Sequence, residues 1–146
     1  MPRVKLTELP NYEFQHHLTV RATDINYAGH LGNEALLGLV HEARANFLQQ
    51  LKFNTITTDD QHTGIIIADL AVNFWAEAFA HDHLTIDCQI GDLGERSFRL
   101  YHRIRREEQV IALVESGAVS YDYLAGEVIP LPQDLLTELQ NYRDTL

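Results

Sequence analysis

The chain has 146 residues and a formal net charge of −10 at neutral pH, with 45% apolar and 22% charged residues. That length and balance suit one globular domain with a sizeable core, and the negative charge argues against nucleic acid and anionic membrane surfaces as partners. Cys88 is the one cysteine, which excludes an internal disulfide framework and a cluster of thiolate metal ligands. No apolar run approaches the ~20 residues of a membrane span, and the first residues carry no apolar signal core. The expectation is a cytoplasmic protein in a reducing compartment, without a metal or other cofactor.

Residues 1–11 are polar, carry Pro2 and Pro10, and read as an arm. Glu13 to Ala22 alternates with Phe14, His16, Leu18 and Val20 on one side, which is the period of a strand. His16 and His17 then point to opposite faces and do not share a metal. A ten-residue turn follows, Asp24-Ile25-Asn26-Tyr27-Ala28-Gly29-His30-Leu31-Gly32-Asn33, and a helix is predicted from about Glu34 to Leu51. Leu36, Leu37, Val40, Phe47, Leu48 and Leu51 form one apolar stripe of that helix. Ala35, Gly38, Leu39, Glu42 and Ala43 form a second face of mostly small residues, suited to packing against a sheet or a second copy.

Residues 53–63 are polar and predict a loop. Strands are then expected at Gly64 to Phe74, Leu84 to Ile90, Ser97 to Arg105 and Val110 to Tyr123, joined by short turns as antiparallel neighbours. Cys88 alternates with Ile86 and Ile90 and reads as a small buried hydrophobe. Arg96, Arg99, Arg103, Arg105 and Arg106 hold five of the eleven basic residues. They make either a solvated strand face or a patch for an anionic ligand tail. Pro130 and Pro132 stop the last strand, and Gln133 to Leu146 has the stripe Leu135, Leu136, Leu139 and Tyr142 of a short helix. The predicted class is α+β: one domain over residues 1–146, a curved antiparallel five-stranded sheet around one long central helix, and a short C-terminal helix at 133–146. One helix does not cover such a sheet completely, so a dimer is expected.

The turn before the long helix is where chemistry is best placed. Backbone N–H groups at a helix start are unpaired and lie at the positive end of its dipole. Asp24, Asn26, His30 and, further along the helix, Glu42 are the side chains with catalytic potential. Each has a plainer reading too: Asn26 as a turn former, His30 as a structural histidine, Asn33 as a helix N-cap and Glu42 as the partner of an arginine. Gly29 and Gly32 serve backbone shape under either reading.

The segment from Arg21 to Asn33 resembles the entry turn of hotdog-fold acyl-CoA thioesterases of the 4-hydroxybenzoyl-CoA thioesterase-like family. Their pattern is close to D-x-D-x-x-G-H-x-x-N, followed by a helix with an acidic-Ala-Arg triplet, here Glu42-Ala43-Arg44. The likeness continues at Asn73-Phe74, at Asp82-His83-Leu84 (with His81 where glycine is usual), at Gly94 to Phe98 and at Leu131-Pro132. It implies hydrolysis of a thioester carried by CoA or acyl carrier protein, by a homodimer or homotetramer. It implies that Tyr27, Gly29, Leu31, Gly32 and Asn33 contact substrate, with backbone N–H groups near Gly29 to Gly32 polarising the thioester carbonyl. The family's catalytic carboxylate is the second acid of the turn, and here that position is Asn26. An amide supplies no base, so another group must: His30, which accepts a proton near neutral pH, or Asp24 or Glu42. Two other classes share the fold. A hydratase has the turn D-x-N-P-x-H, which Tyr27 and the later His30 do not match in register, and a non-catalytic acyl or acyl-CoA binding module needs no carboxylate.

Overall fold

The long helix meets its sheet because its apolar residues recur along one side and those of the strands alternate. The computed structural model describes residues 3–52 and 62–146, so most of the loop expected at 53–63 lies outside the described residues. In chain order the elements are β1 (Phe14–Thr19), a single 3-10 turn (Ala22–Asp24), α1 (Asn33–Gln50), β2 (Thr63–Phe74), β3 (His83–Gly91), β4 (Ser97–Arg106), β5 (Gln109–Asp122), β6 (Glu127–Val128) and α2 (Gln133–Asp144).

The sheet is antiparallel, with order β1-β3-β4-β5-β2 and β6 added to β5. The two-residue β6 is a sixth strand that the sequence pattern did not predict. It pairs where β5 outruns β4, at Tyr121 and Asp122. β1 ends at Thr19 rather than Ala22, because the chain turns at Arg21 into the short 3-10 segment. Thr63, expected in the loop, already pairs with Asp122.

Register places two kinds of side chain on opposite faces. Leu84, Ile86, Cys88 and Ile90 of β3, with Phe98, Leu100, His102 and Ile104 of β4, lie on the buried side. All of these but His102 pack with Leu36, Leu39, Val40, Ala43, Phe47 and Leu48 of α1 in one apolar cluster. Phe47 stacks on Phe14 of β1, and Tyr142 of α2 closes the same end. The second helix face expected to be covered is only partly so. Leu39 and Ala43 are buried, but Gly38 and Glu42 face solvent.

The opposite face carries the arginines, and four of the five are ion-paired, while Arg96 donates to the Val128 carbonyl. Arg103 and Arg105 hold Asp87, Arg99 bridges Asp69 and Glu115, and Arg106 meets Asp82. Among the described residues this is an ion-paired strand face rather than an open anion patch. The N-terminal arm lies across it: Asn73 accepts the Leu6 N–H and donates to the Val4 carbonyl, while Arg103 stacks over Tyr12. Among the described residues no helix is long and apolar enough to cross a membrane.

Candidate functional site

The turn between the 3-10 segment and α1 is closed by its own backbone. Ile25 bridges Leu31, Asn26 donates to the His30 carbonyl at 2.9 Å, and Gly29 donates back to the Asn26 carbonyl at 3.0 Å. Gly29 has φ +87°, a conformation open to glycine and costly for most other residues. The turn is tied to the strap after β2 by the Leu31 N–H, which donates to the Ala78 carbonyl at 2.8 Å. It is also tied to its own start, where Gly32 donates to the Asp24 carbonyl at 3.0 Å.

Asp24 is buried and held by Arg21. Nε and Nη2 of Arg21 lie 3.2 and 2.9 Å from its carboxylate oxygens, and the Arg21 backbone N–H donates at 2.8 Å. The Arg21 side-chain hydrogen bonds keep this carboxyl below its ordinary pKa against the opposing effect of burial. Asp24 is thus an ion-paired anchor of the turn, poorly disposed to take a proton. The Oδ1 of Asn26 accepts the Ala28 N–H at 3.0 Å, a local Asx turn, which leaves its Nδ2 for other partners. Tyr27 is fully exposed at the tip.

α1 begins at Asn33, and its N-cap is Gly32 rather than the expected Asn33. The cap has no side-chain hydrogen bond. A Cβ at position 32 would come within 2.8 Å of the Glu34 carboxylate oxygen, the end of an exposed side chain free to move aside, so the backbone here does not demand glycine. The first helical N–H groups therefore have no side-chain cap and remain available to an acceptor.

His30 joins this helix start to a pocket of about 230 Å³, lined by His30, Leu31, Asn33 and Leu36 together with Phe74 to Ala78 and Ile111. His30 Nδ1 lies 3.3 Å from the Leu31 carbonyl, and Nε2 lies 3.9 Å from the Glu77 carboxylate. The structure brings His30, Leu31 and Asn33 together around one cavity. It does not bring Glu42 there: that side chain sits on the exposed side of α1 and accepts from Asn46 Nδ2 at 3.0 Å. Asp24, Asn26 and Tyr27 do not line the cavity.

Sequence reasoning missed Glu77. It lies in Trp75-Ala76-Glu77-Ala78, an irregular segment past the end of β2 with no periodicity to read. It also missed a second group of buried polar atoms. Both ring nitrogens of His102 and the hydroxyls of Ser116 and Ser120 have no hydrogen-bond partner among the described residues. Burial, and then the nearby Arg44 charge, push the His102 pKa down to about 3, so the ring is neutral at physiological pH. Arg44 is partly buried, which lowers its pKa, and its Nη2 lies 2.6 Å from His41 Nδ1. Cys88 is buried as expected, and burial pushes its thiol pKa up, so it is no nucleophile. Among the described residues no group of three or more His, Cys, Asp or Glu side chains is placed to hold a metal.

A curved antiparallel sheet around one long helix, with a polar turn feeding the helix start, defines the hotdog fold. The chain belongs to the Thioesterase-like superfamily, which it matches over residues 20–139. A 1,4-dihydroxy-2-naphthoyl-CoA hydrolase from Microcystis aeruginosa is 28% identical over 113 residues, covering 77% of this chain and 82% of that protein. The solved 1,4-dihydroxy-2-naphthoyl-CoA thioesterase from Synechocystis superposes with a TM-score of 0.80 at 21% identity, over 88% of this chain and 96% of the other. A gentisyl-coenzyme A thioesterase superposes at 0.77 with 26% identity, over 86% of this chain and 98% of the other.

Proposed function

We propose that the protein hydrolyses the CoA thioester of an aromatic acid, with His30 as general base and the N-terminus of α1 as the electrophilic support. The observation that carries this reading is that His30 and Asn33, at the helix start, line the same largely apolar cavity. The carbonyl oxygen of a thioester placed there lies toward uncapped N–H groups, which stabilise the oxyanion that forms. Leu36, Phe74, Trp75 and Ile111 offer an apolar lining for the acyl group. The relatives support CoA as the carrier and an aromatic acyl group, since the names of both proteins above 25% identity specify them. Gly29, Leu31 and Gly32 shape the turn against the substrate; Asn26, beside rather than within the cavity lining, offers to water or the thioester the Nδ2 that its Asx turn leaves unused among the described residues, and Tyr27 meets the exposed part of CoA.

One hotdog domain is the unit of each protomer, and the working form is a homodimer. β2 is an end strand of the sheet, and its inner face leaves Leu70 and Phe74 about half exposed beside Trp75. A second copy covers this apolar edge. Glu42, on the open side of α1, then belongs to the assembly rather than to the cavity of its own chain. The cytoplasm suits a protein whose single cysteine is buried and unpaired.

A hydrolysis screen across aromatic and straight-chain acyl-CoAs and acyl carrier protein thioesters tests the reading, with sedimentation reporting the dimer. On the best substrate, His30→Ala is expected to lower kcat/KM by ~10²–10⁴, the scale of a lost general base. Asn26→Ala is expected to cost under about tenfold, the worth of one neutral hydrogen bond. Asn26→Asp is expected to retain or raise activity. Near wild-type rates in His30→Ala, with both Asn26 variants dead, would reverse the two roles.

A further inference from the structure

We infer that Glu77 is the positioning carboxylate of His30, supplying from the strap after β2 the negative charge that position 26 does not carry. The inference rests on the hydrolytic reading above and assigns a role to a residue outside the entry turn.

Among the side chains that line the cavity, His30 and Glu77 are the ionisable ones. Glu77 is held by its backbone. The Trp75 and Ala76 N–H groups both donate to the Ile111 carbonyl, at 2.8 and 3.1 Å. One residue beyond Glu77, the Ala78 carbonyl accepts from Leu31, the immediate neighbour of His30. The Glu77 carbonyl itself accepts from Arg106 Nη1 at 3.4 Å, and that guanidinium is fixed by Asp82 at 2.6 Å. Pinned on both sides, the Cα of Glu77 keeps the carboxylate within reach of the imidazole, 3.9 Å away, although the side chain is 63% exposed. That side chain makes no other hydrogen bond or ion pair among the described residues.

The geometry of His30 gives the carboxylate its task. With a proton on Nδ1, the ring donates to the Leu31 carbonyl and leaves the Nε2 lone pair free. The separation of 3.9 Å to Glu77 is beyond hydrogen-bond length, so the carboxylate does not occupy that lone pair. It is still within the range at which opposite charges attract. In the reaction, water oxygen forms a bond to the thioester carbonyl carbon while its proton passes to Nε2. The carbonyl π electrons move to oxygen, where the helix N–H groups receive them. The tetrahedral species then collapses, the C–S bond breaks, and the leaving thiolate takes the proton back from Nε2. Between the two proton transfers His30 is cationic, and Glu77 stabilises that cation without itself exchanging a proton. Since the charge exists only along the reaction path, its loss falls on kcat and not on KM.

The experiment compares kcat and KM for the wild type, Glu77→Gln, Glu77→Asp and Glu77→Ala, the last with and without added formate, on the best aromatic acyl-CoA of the screen. Glu77→Gln is expected to lower kcat about ten- to a hundredfold with KM within about twofold. Glu77→Asp is expected to retain most of the rate, and formate to restore part of that of Glu77→Ala. An unchanged kcat in Glu77→Gln overturns the inference, as does a loss confined to KM, which marks a substrate contact. Loss of kcat in Glu77→Ala without rescue by either formate or Asp overturns it too, since that is the pattern of a structural residue. Each of those outcomes leaves His30 hydrolysis standing. A wild type that hydrolyses no thioester removes the hydrolytic reading and this inference with it.

Discussion

Two buried ionisable groups, on adjacent residue pairs of the same two strands, have opposite environments. Asp87 pairs with Arg103 and faces the arm side of the sheet; Cys88 pairs with His102 and faces α1. Both Asp87 and His102 are essentially inaccessible. Asp87 accepts from Gln15 Nε2 at 3.0 Å, Arg103 Nε at 2.8 Å and Arg105 Nε at 2.7 Å. Burial works against its charge, but the hydrogen bonds and charges of Arg105 and Arg103 prevail and keep its pKa below the ordinary value. Among the described residues His102 has no partner at either nitrogen and resolves burial the other way, by staying neutral. A buried charge persists where donors surround it; a buried base without acceptors gives up its proton.

The comparison is broken most severely at Asp87. Asp87→Asn removes the charge that Arg103 and Arg105 share, and removing one member of a buried ion pair leaves the others uncompensated. Both arginines keep some solvent contact, at 25% and 19% exposure. The expected loss is therefore toward the low end, about 3 kcal/mol, measured by urea unfolding at pH 7.

A smaller effect follows for His102 from pH. Its folded pKa lies below that of the unfolded chain, which is near ~6.5. Above that value neither state binds the proton and stability is unaffected. Below it the unfolded chain binds a proton that the folded chain refuses, so stability falls by about 1.4 kcal/mol per pH unit, or roughly 2 kcal/mol by pH 5. Asp87 has the opposite sign of charge, and its stabilisation is lost only as pH falls below the ordinary carboxylate range. Unfolding measured between pH 4.5 and 7 thus isolates the histidine, and His102→Leu is expected to flatten the curve over that interval. A curve as steep in the variant as in the wild type would contradict this assignment.

The smallest effect is expected at the outer end of the arginine network. Glu8 touches Arg103 at 3.3 Å from the arm and is 40% exposed, so Glu8→Gln should cost under about 1 kcal/mol. A loss as large as that of Asp87→Asn would show that the arm, rather than the buried carboxylate, organises this face.

What was legible in the sequence was whatever repeats or turns locally. The period of β3 to β5, the stripe of α1 and the Gly-containing entry turn are consequences of neighbouring residues, and they led to the fold and to His30. Even the departure at His81, where glycine is usual in the resembling family, has a local counterpart: that residue takes φ +72°. Tertiary structure decided the rest, because those properties belong to pairs distant in the chain. Arg103 and Asp87 neutralise one another only through the β3–β4 register, and Arg21 removes Asp24 from service through a bend that no periodicity announces. His30 meets Glu77 across 47 positions of sequence because Leu31 and Ala78 share a hydrogen bond. The sequence named the residue types available to the site. Which carboxylate stands beside the histidine depended on how strap and turn pack, since charge acts over ångströms of space and not along the chain.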